Sequence, residues 1–387
     1  MKWVLVPFVG ILSFVFVGSV IVGPITADFT NWLNRNGYQE YNFARKDFGT
    51  AGSYGGRLSK TQQVNKIPIV MIHGNSDGGL TLPGNYSTGF TSTISYFQSK
   101  GYTSAELYVT TWGDRNSSMI PTRTHSCQYV TFVRQFMEAV IKYTGKQKIN
   151  VISHSMGVTL ARKAIAGTME MDHDNYSAEA SKGCMVGKKF NEHVNVFIGA
   201  GGANYGICFC TGDKARLQPT CNQLNGFFPG DKCQSVLYSH TIHNEADLCY
   251  LDRSKLICLE EPKYSTMLSQ LNNNHEKPGR FVYSFWTPVD EVLGNGNMVY
   301  GRITSHIPNS DGIRIFNEMQ HEDLKDKTIY EQYAIMSNHE DAGNESPHQN
   351  PPSPTKKSNH DSDSDENSEQ SHGHGHGHLD PQTTSAE

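Results

Sequence analysis

Residues 151–157, Val-Ile-Ser-His-Ser-Met-Gly, constrain the fold of this chain more than any other stretch. An apolar strand runs into a turn in which a serine lies among small residues, and a helix follows. In such a turn the serine backbone is strained and its hydroxyl is exposed at the tip of the strand. Gly157 meets this steric demand, whereas Ser153 stands where glycine is usual. The pattern predicts a nucleophilic role for Ser155, and a turn without chemistry is the alternative.

The flanking sequence supports this interpretation. Residues 148–153 are predicted to form a buried strand, and residues 156–166 a helix that ends at Gly167.

A second apolar run, residues 67–72, breaks at His73-Gly74-Asn75. A strand-to-loop junction of this kind can supply one N–H group of an oxyanion hole, and the residue after the nucleophile supplies another. The donors are predicted to be the N–H groups of Asn75 and Met156. His73 is interpreted as a structural hydrogen-bonding residue rather than a base.

In hydrolases that combine such a serine turn with such an oxyanion-hole loop, a carboxylate and then a histidine follow the serine along the chain. Residues 280–286 form an apolar-aromatic strand, and Asp290 and Glu291 lie in the turn after it. Asp290 is the predicted partner, although spacing alone does not exclude Glu291. Of the downstream histidines, His321 fits better than His306 because it stands just before a predicted terminal helix.

These segments resemble the class 2 lipase family, especially its nematode branch. The resemblance covers seven segments: residues 28–33, 42–49, 52–56, 70–75, 153–162, 289–292 and 321–326. It implies an α/β-hydrolase fold, that is, a mostly parallel sheet covered by helices. It also implies hydrolysis of carboxylic esters or triacylglycerols by a triad of Ser155, Asp290 and His321. Ser153 is a departure, because the family usually has Ala or Gly there.

The N-terminus is typical of a secreted protein. Lys2 precedes an apolar run over residues 3–22, and the small residue Ala27 offers a cleavage site before Asp28. Residues 1–27 are therefore predicted to be a signal peptide, with an uncleaved membrane anchor as the alternative.

The eight cysteines agree with secretion into an oxidising compartment, where they are predicted to pair as disulfides. They are Cys127, Cys184, Cys208, Cys210, Cys221, Cys233, Cys249 and Cys258. Most fall in residues 168–260, which are interpreted as a disulfide-rich insertion whose connectivity the sequence leaves open. Zinc binding by Cys208 and Cys210 with His240 and His243 is the competing hypothesis.

Four Asn-X-Ser sequons are candidate glycosylation sites and agree with passage through the secretory pathway. They are Asn85, Asn116, Asn175 and Asn344.

Residues 28–338 are long enough for one α/β domain, in which residues 127–144 form an amphipathic helix that ends at Gly145. Residues 339–387 are Pro-rich, then acidic, then alternate His and Gly, so they are predicted to be a disordered tail. The tail histidines can bind metal weakly, but a solvated spacer is the simpler interpretation. The net charge of -5 does not indicate nucleic-acid binding.

The sequence therefore predicts a secreted serine hydrolase that acts on lipid or other esters, with no cofactor and no metal in the site, and with contact to a lipid–water interface as a further hypothesis. The alternative is a non-catalytic lipid-binding protein on the same fold. Leu224, Phe227 and Phe228 are candidate lipid-facing residues, and a buried hydrophobic plug is the competing interpretation of them.

Overall fold

The computed structural model describes residues 21–83, 87–173, 180–233, 250–252, 257–260, 262–273 and 276–340. Within them, a seven-stranded sheet has the order β1-β3-β2-β4-β7-β10-β13. Its strands are β1 (Ser53–Tyr54), β2 (Ile69–Ile72), β3 (Leu107–Thr110), β4 (Ile149–His154), β7 (Val194–Ala200), β10 (Phe281–Trp286) and β13 (Gly312–Ile315). β1 is antiparallel to β3, and the other neighbours are parallel. The predicted mostly parallel sheet is confirmed.

In the described ranges, three further pairs of antiparallel strands lie outside this sheet. They are β5 (Thr168–His173) with β6 (Ala180–Gly187), β8 (Tyr250–Asp252) with β9 (Ile257–Glu260), and β11 (Met298–Val299) with β12 (Arg302–Ile303).

Helices cover both faces of the sheet. They are α1 (Ala27–Arg35), α2 (Thr91–Ser99), α3 (Cys127–Thr144), α4 (Met156–Ala166), α5 (Lys214–Leu217), α6 (Thr266–Asn273), α7 (Asp323–Asp326) and α8 (Ile329–Asn338). α3 has its predicted bounds, and Gly145 ends it in the left-handed conformation at φ 72°.

The core is divided by the sheet into two layers, and β2 shows how. Val70 and Ile72 pack into the layer built by α1, α3 and α4. Ile69 and Met71 pack into the layer built by α2, α7 and α8. Because successive strand residues point to opposite faces, a strand buried on both sides must be a continuous apolar run. All four side chains are accordingly buried.

Residues 168–260, the range of the predicted insertion, include one strand of the central sheet. β7 lies inside that range and occupies a central position between β4 and β10. Its sequence, Val-Asn-Val-Phe-Ile-Gly-Ala, is mostly apolar. It was not predicted as a strand because the residues around it are rich in Gly, Asn and Lys. The range therefore contains a hairpin before β7, the strand itself, and a segment after it.

Three disulfides form between described cysteines: Cys127–Cys184, Cys208–Cys233 and Cys210–Cys221. Cys208 and Cys210 are therefore not available as zinc ligands. His240, His243 and Cys249 lie outside the described residues, and the side chain of Cys258 is not described either. Disulfides fit an oxidising, extracellular compartment. No helix in the described ranges combines the length and the apolar character needed to span a bilayer.

The ends of the described chain pack beyond the predicted domain limits. Ile25 is buried and its N–H donates to the Ser53 hydroxyl, while Thr26 caps α1. At the other end, the His339 ring stacks on Phe281 at 3.9 Å. Folded structure thus precedes residue 28 and continues past residue 338. Residues 341–387, which include most of the predicted tail, lie outside the described residues.

Candidate active site

Ser155 lies between β4 and α4 with a backbone conformation of φ 54° and ψ −130°. This strained conformation is what the small-residue pattern predicts. The Ser155 N–H donates to the Ala200 carbonyl at 2.9 Å, which fixes the turn against β7. A Cβ at position 157 would lie 2.4 Å from the His73 carbonyl oxygen, and one at position 74 would lie 2.7 Å from the Ser155 Cβ. Glycine is therefore required at both positions.

Ser153 is compatible with this turn. Its side chain is fully buried, and its hydroxyl donates to the Ile198 carbonyl of β7 at 3.0 Å. The departure from Ala or Gly thus adds one hydrogen bond between the strands that carry the turn.

His321 and Asp290 form a buried pair. The His321 Nδ1 lies 2.8 Å from the Asp290 Oδ2, and both residues are 2% exposed. The other carboxylate oxygen of Asp290 accepts from the N–H groups of Val292 and Leu293. The carboxylate is thereby held in one orientation toward the imidazole.

Glu291 and His306 occupy different positions. The Glu291 Oε2 accepts from the backbone N–H of His321 at 2.9 Å, so this carboxylate holds the loop and not the ring. The imidazole that Asp290 binds belongs to His321, which leaves His306 outside the pair. The structure brings Asp290 and His321 together.

The second ring nitrogen of His321, Nε2, is buried and has no hydrogen-bond partner among the described residues. The ring packs against Gly201, where a Cβ would lie 3.2 Å from the His321 Cε1. Gly201 follows Ala200, the residue that binds the Ser155 N–H. The ring also lies 4.7 Å from the ring of His154, the neighbour of Ser155. A buried ring nitrogen without a hydrogen-bond partner is available to accept a proton.

Asn75, Ser155 and Met156 line the same cavity. Met156 is the first residue of α4, so its N–H has no partner within the helix. The Asn75 side chain is fixed because its Oδ1 accepts from Arg123 at 2.7 Å. The Asn75 side chain is therefore held in place at the wall of the cavity.

His73 has a structural role. Its Nδ1 lies 2.8 Å from the Gly74 carbonyl, and its Nε2 accepts from the Trp112 N–H at 3.0 Å. Burial lowers the pKa of His73 to about 4, so the ring is neutral near pH 7. Both ring nitrogens are engaged, as the sequence interpretation expected.

A buried ion pair joins the Asn75 loop to the His321 loop. The Lys325 Nζ lies 2.6 Å from the Asp77 Oδ2, and both side chains are almost fully buried. Burial opposes the charged form of Lys325, but the carboxylates of Asp77, Glu322 and Asp326 together outweigh it and hold the pKa of Lys325 above its usual range. Sequence reasoning assigned no role to this pair, although Asp77 lies two residues after Asn75 and Lys325 four after His321.

The cavity beside Ser155 has a volume of about 270 Å³ and an apolar wall. It is lined by Asn75, Ile120, Pro121, Ser155, Met156, Ala203, Ile207, Phe209, Cys210, Gln218, Thr220, Phe227, Val292 and Leu293. Of the three predicted lipid-facing residues, Phe227 lines the cavity, Phe228 is buried in the protein, and Leu224 is half-buried. Phe209, which also lines the cavity, is an exposed aromatic side chain, with 57% of its surface accessible to solvent.

No group of three His, Cys, Asp or Glu side chains suited to a metal ion occurs in the part of the chain that the structure describes. Among the sequons, Asn116 is exposed and its side chain accepts from the Ser118 N–H. Asn85, Asn175 and Asn344 lie outside the described residues.

The family model described as lipase (class 2) matches residues 66–334. No curated protein sequence matches the chain significantly.

Solved structures with low similarity include a truncated carbohydrate esterase from gut microbiota, with 12% identity, 73% of this chain and 89% of that chain covered, and a TM-score of 0.39. Lipase B of Aspergillus fumigatus has 9% identity, 72% and 50% coverage, and a TM-score of 0.38. Carboxylesterase CesB of Bacillus subtilis has 13% identity, 78% and 95% coverage, and a TM-score of 0.34.

Proposed function

Because the chain belongs to the class 2 lipase family, we propose that it is a secreted hydrolase of carboxylic esters that acts through Ser155, His321 and Asp290. The observation that carries this proposal is the His321 ring, whose Nδ1 is bound to Asp290 while its buried Nε2 has no partner. A histidine held in this way can take a proton from a serine hydroxyl.

In the first step, His321 Nε2 takes the proton of Ser155 as its Oγ bonds to the ester carbonyl carbon. Asp290 stabilises the imidazolium that forms. The N–H groups of Asn75 and Met156 stabilise the negative charge on the carbonyl oxygen. His321 then returns the proton to the leaving alcohol, and the acyl group remains on Ser155.

In the second step, a water molecule gives a proton to His321 and attacks the acyl carbonyl. The tetrahedral intermediate is stabilised by the same two N–H groups. His321 then protonates Ser155, which releases the carboxylic acid and restores the enzyme. The two steps together consume only ester and water and release an alcohol and a carboxylic acid, so the reaction needs no cofactor.

A lipid ester, with triacylglycerol as the first candidate, suits the surroundings of the cavity. Exposed apolar side chains line the cavity or lie within three positions of a lining residue along the chain, and they are here called the apolar rim. The rim consists of Met119, Ile120, Phe209, Leu217, Val289 and Val292, each 39% to 68% exposed. Exposed apolar surface of this kind marks a contact with another apolar phase. We infer that the rim contacts the surface of a lipid aggregate, which places an acyl chain at the cavity.

Secretion is part of the proposal, and the packing of residues 21–26 bears on where the signal peptide ends. Cleavage before Asp28 would remove Thr26, the N-cap of α1, whose loss typically costs about 0.5–2 kcal/mol. It would also remove the buried Ile25. We therefore expect the mature chain to begin upstream of Ile25. N-terminal sequencing of the secreted protein tests this, and a mature terminus at Asp28 would contradict it.

The experiment that tests the function is hydrolysis by the purified, secreted protein. Soluble short-chain esters and emulsified triacylglycerols are offered side by side, with Ser155→Ala as the control. We expect turnover of both substrates by the parent protein and neither by the variant. Binding of lipid without turnover by the parent would favour the non-catalytic alternative.

A further inference from the structure

The hairpin of β5 and β6 has an inner face that is tied to the domain. On that face, the Glu170 carboxylate pairs with Lys163 of α4 at 3.2 Å, and both side chains are buried. Cys184 forms the disulfide with Cys127 at the start of α3, and Val186 is buried. These contacts fix which side of the hairpin faces solvent.

The outer face carries three methionines. Strand alternation places Met169 and Met171 opposite to Glu170, and the pairing register sets Met185 across from Met169 and Gly183 across from Met171. Met169, Met171 and Met185, here called the methionine face, are 48%, 36% and 70% exposed.

Two of the three sulfur atoms, those of Met169 and Met171, lie close to Gly183. A Cβ at position 183 would lie 2.8 Å from the Met171 sulfur and 3.1 Å from the Met169 sulfur. The missing side chain thus leaves space in which two thioethers meet, and any other residue there would displace them. Met185 lies two positions after Gly183 on the same strand, and alternation places it on the same face.

Thioether sulfur is a soft ligand, and it has little affinity for hard cations, which take oxygen. Three thioethers on one face match the preference of Cu(I) for soft sulfur ligands. Met side chains have three rotatable bonds, so they can close around an ion without moving the hairpin backbone.

We propose that the methionine face binds one soft monovalent metal ion, Cu(I), through the sulfur atoms of Met169, Met171 and Met185. The site lies on the surface, so the ion exchanges with solvent. This inference does not depend on the proposed hydrolase activity.

The test is a titration of the full chain, labelled with 13C at the methionine methyl groups, with Ag(I) as the redox-inert analogue of Cu(I). We expect the methyl resonances of Met169, Met171 and Met185 to shift together and to saturate at one equivalent. Single Met→Leu variants assign the three signals. Methyl signals report on methionine alone, so Ag(I) bound by the tail histidines does not mimic the result.

The triple variant Met169→Leu/Met171→Leu/Met185→Leu removes the sulfurs but keeps apolar side chains of similar volume, so it should fold as the parent does. Its Cu(I) complex should lose the sulfur scattering in X-ray absorption that the parent shows. Met119→Leu, which removes another exposed thioether, should lose none of it.

Equal Ag(I) shifts at Met119 and at the methionine face would overturn the proposal. So would unchanged sulfur scattering in the triple variant. If Ag(I) shifts none of the three signals, the face is an apolar contact surface and not a metal site.

Discussion

Ser155 is positioned by backbone geometry, and its neighbours determine what its hydroxyl can do. The positive φ of this residue turns the chain out of β4, and Gly74 and Gly157 leave room for the turn. Asp290 then determines the tautomer of His321, because a carboxylate at Nδ1 keeps the proton there and leaves Nε2 free to accept.

The two adjacent carboxylates differ in their contacts, which gives a sharp prediction. Asp290→Asn should lower kcat by about 10⁴, because an amide at Nδ1 favours the wrong tautomer. Glu291→Gln should stay near the parent rate, since its amide oxygen can still accept the His321 N–H. Steady-state kinetics on a soluble ester provides the comparison. A larger loss at Glu291 would reverse the assignment.

Alanine variants of His321 and His306 form a second matched pair for steady-state kinetics on a soluble ester. His321→Ala should abolish turnover, whereas His306→Ala should retain it. Circular dichroism of both variants checks that each is folded. An active His321→Ala protein would exclude this ring as the base.

At the scale of elements, the sequence predicts local structure such as turns and helices, but it does not predict contacts between distant segments. The turn at Ser155, α4 and α3 follow from apolar periodicity and glycine placement, and the structure has them where they were predicted. β7 was missed because its apolar run lies inside a Gly- and Lys-rich region.

The Asp77–Lys325 pair was missed for a different reason. The two residues are 248 positions apart, and a charged side chain in a sequence gives no sign that folding will bury it. The disulfide pairing and the cavity wall also depend on how distant segments meet, so spacing could not predict them.

The apolar rim gives a prediction at this scale. Leu217 is 68% exposed at the end of α5 and does not line the cavity. Leu217→Ser should lower hydrolysis of emulsified long-chain triacylglycerol several-fold while leaving a soluble short-chain ester unaffected. Leu58→Ser makes the same change at a site 80% exposed and outside the rim, and it should alter neither rate. Equal effects of both variants would argue against a contact between the rim and lipid.

At the scale of the whole molecule, buried histidines link stability to pH. Burial lowers the pKa of His73, His125 and His154 to about 4, whereas an unfolded histidine has a pKa of about 6.5. Below pH 6.5 the unfolded chain therefore binds more protons than the native one. The stability contributed by each neutral ring is present above that pH and is lost as the pH falls toward 4, on the order of 3 kcal/mol per ring.

Glu170 acts in the opposite direction over part of this range. Burial raises its pKa to about 7, although Lys163 opposes the shift. Its contribution is present below about pH 4.5 and is lost as the pH rises toward 7, so it offsets roughly one histidine.

We therefore predict that the free energy of unfolding decreases between pH 6.5 and pH 4. Urea unfolding across that range measures it. His125→Gln removes one of the rings without touching the catalytic residues, and it should make the slope shallower by about one proton. A stability that is flat or rises on acidification would contradict the burial of these neutral rings.

The central claim is that Ser155 is the nucleophile, and labelling with a serine-reactive fluorophosphonate tests it most directly. After digestion of the labelled, secreted protein, mass mapping should find a single adduct on Ser155. Ser155→Ala should remain folded, take up no label, and lose on the order of 10⁶ in kcat, because a triad acts as a unit. Label on Ser153 or on another serine, or ester turnover near the parent rate in Ser155→Ala, would contradict the account.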